Sequence, residues 1–186
     1  MSDALSGPEL LEAAFRDALD IIAANNVTAA EIELTFINAD ALTIVEEAWM
    51  DSPSRPVDWD WRRVVEHFRR RARRQPFEAA IWADGILCGL AIGQRSRRGT
   101  RVYIEGVEGS PLPHPLKKRL LVVSLLVAEA YARRIGAKEV WIREPDPTLI
   151  PFYEVLGYTE SMRRAFFMRR LRFCIKTIDY TSGVLP

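Results

Sequence analysis

Apolar residues along this chain change period several times, and each change marks an element. Leu10, Leu11, Ala14, Leu19, Ile21 and Ile22 fall on the faces of a helix that starts at Ser6-Gly7-Pro8-Glu9 and stops at Asn25-Asn26. Residues 31–37 alternate polar and apolar, which predicts a half-buried strand. A helix capped by Asn38 or Asp40 carries Leu42, Ile44, Val45 and Trp49, and the Ser/Pro-rich residues 52–56 break it. Residues 57–74 return to helical spacing, with Trp59, Trp61, Val64, Val65 and Phe68 apolar and Arg62, Arg63, Arg69, Arg70, Arg71, Arg73 and Arg74 on the polar side. The apolar runs 77–82 and 86–92 are joined by Ala83-Asp84-Gly85, a hairpin signal.

Beyond a basic loop at 95–101, a strand at 102–107 leads through a Gly/Pro-rich loop into a long apolar helix from about Leu116 to Gly136, and a second strand follows at 139–143. That is a βαβ unit, so its two strands are expected to run parallel. Pro145 and Pro147 then open a short amphipathic helix through Ile150, Phe152, Tyr153 and Leu156, closed by Gly157. Residues 163–178 supply one or two further strands, with Phe166, Phe167, Met168, Leu171 and Phe173 apolar. Between Leu120 and Ala132 only Ser124 and Glu129 are polar, more apolar surface than one sheet face covers. Either the N-terminal helix or a second copy of the chain must bury the remainder; the helix is the preferred cover and a homodimer stays open.

Composition narrows the class. At 186 residues and 48% hydrophobic content the chain can build a core without disulfides or metal. Cys88 and Cys174 sit singly in apolar runs with no CxxC spacing, which predicts buried, reduced thiols and a cytoplasmic protein. The first residues lack a leader pattern, and the apolar stretch 120–132 is too short to span a bilayer, so no membrane partner is expected. The net charge of +1 hides an asymmetry: residues 1–50 hold ten acidic groups and one basic group, leaving 25 basic against 15 acidic groups in residues 51–186. Either the acidic front packs on the basic body, or the body is open to phosphates. A solvated helix face explains the arginines of 62–74 more simply than nucleic-acid binding does. His114, between Pro113 and Pro115, reads as a stiff, exposed loop residue.

One run is more specific than the rest. Phe152-Tyr153-Glu154-Val155-Leu156-Gly157-Tyr158, preceded by the Ala132-x-x-x-Gly136-Ala137 helix end and a strand, resembles the FYEKLGF signature of the GNAT N-acetyltransferase superfamily. The element order resembles that family over residues 31–172. The resemblance implies an α/β fold with a mixed central sheet, an antiparallel meander followed by the βαβ unit. It divides the chain into an acidic helical extension (1–30), a GNAT-like domain (31–178) and a tail (179–186). It also implies acyl transfer from acetyl-CoA to an unidentified amine, on a small molecule or a protein. The pantetheine arm would lie between splayed strands at 102–107 and 140–143, beside Val107. Glu105 would be the base, with Glu108 second because it sits beside Gly109 in an expected turn, and Tyr153 the acid. The family's glycine-bearing pyrophosphate loop corresponds to residues 116–121, which contain no glycine; Lys117, Lys118 and Arg119 would instead pair the phosphates from their side chains. The acceptor would lie near the basic helix and loops between Arg62 and Arg101. A non-catalytic binding module on the same fold, holding protein or nucleic acid without acetyl-CoA, is the competing reading.

Overall fold

A computed structural model describes residues 6–55, 57–70, 76–164 and 170–180. Seven strands form one mixed sheet: β1 (Ile32–Thr35), β2 (Pro76–Ala83), β3 (Ile86–Arg95), β4 (Arg101–Gly109), β5 (Glu139–Arg143), β6 (Thr159–Arg164) and β7 (Arg170–Thr177). Their order across the sheet is β1-β2-β3-β4-β5-β7-β6. β4 and β5 pair in parallel, as the crossover between them requires, and the other described pairs are antiparallel. The β2–β3 hairpin turns at Asp84 and Gly85, both with positive φ (50° and 74°), the conformation that a two-residue turn needs to match strand twist.

Among the described residues, five α-helices cover the sheet. One face carries α1 (Gly7–Ala24), α4 (Leu120–Arg134) and α5 (Ile150–Val155), the last entered through a 3-10 turn at Pro147–Leu149. The other carries α2 (Ala39–Ile44), which runs on as a π-helical turn over Val45–Trp49, and α3 (Trp61–Arg69). α1 packs along α4 and buries Leu11, Phe15 and Ile22 in the same cluster as Val123, Val127 and Tyr131. At about 1.5–3 kcal/mol per large buried side chain, those three residues alone contribute on the order of 5–9 kcal/mol of gross transfer energy. α1 therefore answers the excess of apolar surface on α4.

Glu129, inside that apolar helix, accepts hydrogen bonds from the Tyr158 hydroxyl at 3.0 Å and the Lys176 ammonium at 2.9 Å, which is how a carboxylate survives there. Two acidic groups of the front reach basic groups of the body: Asp17 pairs with Arg134 and Glu46 with Arg62. Both thiols are free and buried. No helix among the described residues is long and apolar enough to cross a membrane.

Two helix starts differ from the periodicity. α3 begins at Trp61 instead of residue 57, because the Asp60 side chain accepts from the Arg63 N–H and fixes the cap there. α4 begins at Leu120 instead of Leu116, and residues 115–119 are turns. Arg71, Arg73, Arg74, Phe166, Phe167 and Met168 lie outside the described residues.

Candidate functional site

The β4–β5 ladder is short. It pairs Arg101 with Glu139 and continues to Ile104 with Ile142; β5 then ends at Arg143 while β4 runs on to Gly109. At the same level β4 is bulged against β3: Ile92 opposes Gly106 and Gly93 opposes Ile104, so Glu105 is the extra residue. A bulge bends its strand and tightens its twist, and here it turns β4 away from β5. The β5-facing edge of residues 105–109 has no strand partner among the described residues. Gly93 is what the bulge requires, since a Cβ there would stand 1.9 Å from the Tyr103 carbonyl oxygen. The bulge also swaps faces. Val102 and Ile104 point to the α4 side before it, and beyond it Gly109 lies against Leu120 of α4 while Gly106 lies against Trp59.

On the α3 side stand the two glutamates. Glu105 accepts from the Gln94 amide at 2.9 Å and faces the Arg143 guanidinium at 3.3 Å, with its side chain 13% exposed. Glu108 belongs to β4, not to a turn, and is buried: Arg55 donates to it twice, at 2.6 and 3.0 Å, and the Trp61 indole donates as well. Arg55 also donates to the Trp59 carbonyl at 2.7 Å. Glu108 thereby clamps the chain between α2 and α3 over β4, with Trp59 laid on Gly106, and both of its oxygens are engaged by Arg55 and Trp61.

On the opposite face, Tyr153 sits in the cluster that contains Ile104, Ile142 and Cys174. Cys174, near enough to act on the Tyr153 phenol, pairs with Ile142, the last residue of the parallel ladder, so Tyr153 and Glu105 flank the same end of that ladder from the two faces of the sheet. Tyr153 packs edge-on against Phe152 and Tyr158, and its hydroxyl has no hydrogen-bond partner among the described residues. Burial, helped by the charges of Cys174 and Asp146, pushes this phenol up to about 12 and keeps it protonated at neutral pH.

At the start of α4, the Arg119 and Leu120 amides both donate to the Leu116 carbonyl at 2.8 Å. The amides of Lys118, Leu121 and Val122 have no partner among the described residues, and Arg119 supplies no side-chain cap. Lys117, Lys118 and Arg119 are exposed beside them, with Lys117 reaching the Pro111 carbonyl at 3.4 Å. The Leu120 side chain folds inward onto Gly89 and Gly109 and leaves the outer face of the turn to the three cations. Free amides together with cations at a helix N-terminus make an environment suited to phosphate oxygens. Val107 is half-buried against the α4 cluster. The His114 ring accepts from the Leu116 amide, and burial holds its pKa below the ordinary histidine value; it shapes the loop. These features fit a pantetheine pyrophosphate: an unpaired strand edge for the arm's amides, and unpartnered N–H groups with cations for the phosphates.

A cavity of about 400 Å³ opens beside Glu105, lined by Gln94, Arg101, Tyr103 and Arg143 and by Arg95, Ser96, Arg97, Arg98 and Thr100 of the β3–β4 connection. No group of three metal-ligating side chains occurs among the described residues.

Among solved structures, the acetyltransferase that modifies the N-terminal serine of ribosomal protein L7/L12 in Salmonella typhimurium is similar, with a TM-score of 0.58 at 14% identity over 82% of this chain and 98% of that one. The yncA acetyltransferase of the same organism, solved with acetyl-CoA, gives 0.53 at 21% identity over 80% and 95%. The ribosomal-protein-S18-alanine N-acetyltransferase of Escherichia coli gives 0.54 at 15% over 84% and 99%. The chain has the GNAT fold. No protein-family model matches it, and no curated protein matches its sequence.

Within the GNAT fold, the arginines of α3 are otherwise engaged. Arg62 pairs with Glu46, Arg63 with Asp60, Arg70 with Glu66, and Arg69 with the buried Glu78 as well as the Ile37 carbonyl. α3 does not line the cavity beside Glu105; of the basic segments between Arg62 and Arg101, the hairpin loop does. Sequence reading missed Arg55, Gln94 and Arg143, and it took Trp59 and Trp61 only as the apolar side of a helix, without their contacts to Gly106 and Glu108. The basic loop was visible, but its convergence with Arg143, some forty residues away, depends on the β4–β5 register.

Proposed function

We propose that the chain is an acyl-CoA-dependent N-acyltransferase with acetyl-CoA as donor and an amine as acceptor. The observation that carries this reading is the bulge at Glu105, which ends the β4–β5 ladder between a carboxylate on one face and a protonated tyrosine on the other. Acetyl-CoA supplies an activated thioester carbonyl. In the proposal, the unpaired edge of residues 105–109 holds the amides of the pantetheine arm, and Val107 gives it apolar contact. The amides of Lys118, Leu121 and Val122, with the side chains of Lys117, Lys118 and Arg119, hold the pyrophosphate. Glu105 takes the proton that the ammonium must lose before its nitrogen attacks. Tyr153 gives its proton to the departing thiolate, a role that suits a phenol held neutral by burial. The N–C bond forms as the C–S bond breaks; the second proton that the nitrogen sheds restores the Tyr153 phenol, and Glu105 returns its proton to solvent.

Support from similar structures is chemical in kind: of the neighbours named above, one modifies the N-terminal serine of a ribosomal protein and one is a ribosomal-protein-S18-alanine N-acetyltransferase, and another, from Vibrio cholerae, is a spermidine/spermine N-acetyltransferase. The glycine-free turn at 116–121 is the observation that favours a non-catalytic module. Calorimetry with acetyl-CoA and longer acyl-CoAs, paired with thiol release in the presence of amines, separates the two readings. Saturable binding and acceptor-dependent thiol release are expected, and binding should weaken by about tenfold or more when Lys117, Lys118 and Arg119 are replaced by alanine. Absence of binding at millimolar acyl-CoA overturns the enzyme reading.

A further inference from the structure

The cavity beside Glu105 has a charge layout of its own. Five of its lining residues are arginines and none is acidic. Two of the five already meet a carboxylate: Arg101 pairs with Glu139, and Arg143 with Glu105. Arg97 and Arg98 are exposed at the hairpin tip and have no ion pair among the described residues. The guanidinium of Arg101 lies 4.4 Å from the Trp141 ring centroid, and that of Arg143 lies 5.3 Å from the Tyr103 centroid. The ring contacts help to hold each guanidinium in place; its Nε edge faces the carboxylate already named, and a terminal nitrogen can still reach a carboxylate or phosphate oxygen. Arg163 approaches Trp141 as well, at 5.8 Å, and adds to the positive potential of this face.

The cavity also has a direction. Gln94 and Arg143 line it and both touch Glu105, so the carboxylate proposed to receive the amine's proton stands directly behind that end, while the exposed Arg97 and Arg98 border the other. A molecule with an ammonium at one end and an oxyanion at the other matches that polarity; a polycation meets like charge along most of its length. A volume of about 400 Å³ suits a small molecule.

We infer that this cavity selects the acceptor by an oxyanion: the substrate class is a small amine carrying a carboxylate or a phosphate several bonds from its nitrogen. The inference rests on the acyltransferase reading, and its test separates the two. Acetyl transfer is measured with glutamate, ethanolamine phosphate, uncharged-tail ethanolamine and spermidine. In parallel, citrate and inorganic phosphate are titrated calorimetrically without donor. The expected result is a kcat/KM for glutamate or ethanolamine phosphate at least tenfold above that for ethanolamine, the better of the two reporting which oxyanion is read. In the Arg97→Ala/Arg98→Ala protein that preference should collapse toward parity, with the KM for acetyl-CoA unchanged; both positions are exposed on a turn, and an unaltered melting curve confirms an intact fold. Equal or better use of ethanolamine or spermidine overturns the inference. If no amine is acetylated, the acyltransferase reading fails and the cavity is judged by the titrations alone: saturable citrate or phosphate binding lost in the double variant supports an oxyanion site, and its absence overturns it.

Discussion

Glu108 is the residue whose removal the structure lets one price most directly. Its carboxylate is buried, with 1% side-chain exposure, and it takes two bonds from Arg55, itself 5% exposed, and one from Trp61. The bond to Glu108 holds the Arg55 pKa above its ordinary value, so the guanidinium is charged at any pH of interest. Glu108→Ala leaves that charge buried and opposed by nothing. Breaking one side of a buried pair costs about 3–5 kcal/mol, which at roughly 3 °C per kcal/mol for a chain of this size is a fall of about 10 °C in Tm. The cost should be largely relieved in Glu108→Leu/Arg55→Met, where no orphan charge remains. Urea titrations of the wild type, Glu108→Leu, Arg55→Met and the double variant supply the coupling energy, and tryptophan emission reports whether Trp59 leaves Gly106. A loss below about 1 kcal/mol in Glu108→Ala, or simple additivity in the double variant, would refute the clamp.

Three further outcomes follow from the same geometry. Tyr153→Phe should lower turnover by about 10²-fold or more with acetyl-CoA affinity near normal; equal loss of both in steady-state kinetics and calorimetry would mark Tyr153 as a packing residue. Gly93→Ala should destabilise by roughly 3 kcal/mol or more, because a Cβ at 1.9 Å from the Tyr103 carbonyl forces the bulge to rearrange, and soluble yield and Tm report it. Burial raises the Tyr131 and Tyr153 phenols to about 12 and holds Tyr158 well above the ordinary tyrosine value. Raised folded-state values mean that this contribution is complete below the unfolded tyrosine pKa near 10 and is lost as pH rises through about 12. Urea midpoints should therefore hold steady to about pH 10 and drop steeply above it; a flat profile to pH 12 would contradict the burial of these phenols.

What the sequence disclosed follows the range of the interactions concerned. The βαβ unit, the Asp84-Gly85 hairpin and the short helix of the Tyr153 run are local: period, turn residues and caps lie within a few positions of one another. The place of Glu105 on a strand that feeds a crossover helix was legible. Its difference from Glu108 was not, since the expected turn at Gly109 is strand, and what engages the Glu108 carboxylate is Arg55, 53 residues earlier. The start of α4 was placed four residues early because Leu116 is apolar and buried, yet it serves a turn instead of the helix. The bulge depends on the absent side chain of Gly93 in the neighbouring strand, a cross-strand fact with no local signature.

The central claim is that a pantetheine arm occupies the opening where β4 leaves β5, and amide hydrogen exchange with and without acetyl-CoA tests it most directly. The account predicts slowed exchange in two separated segments, residues 105–109 of β4 and residues 118–122 at the head of α4, with the far ends of β2 and β7 unchanged. Tight binding with protection confined elsewhere, or no protection at saturating acetyl-CoA, would contradict it.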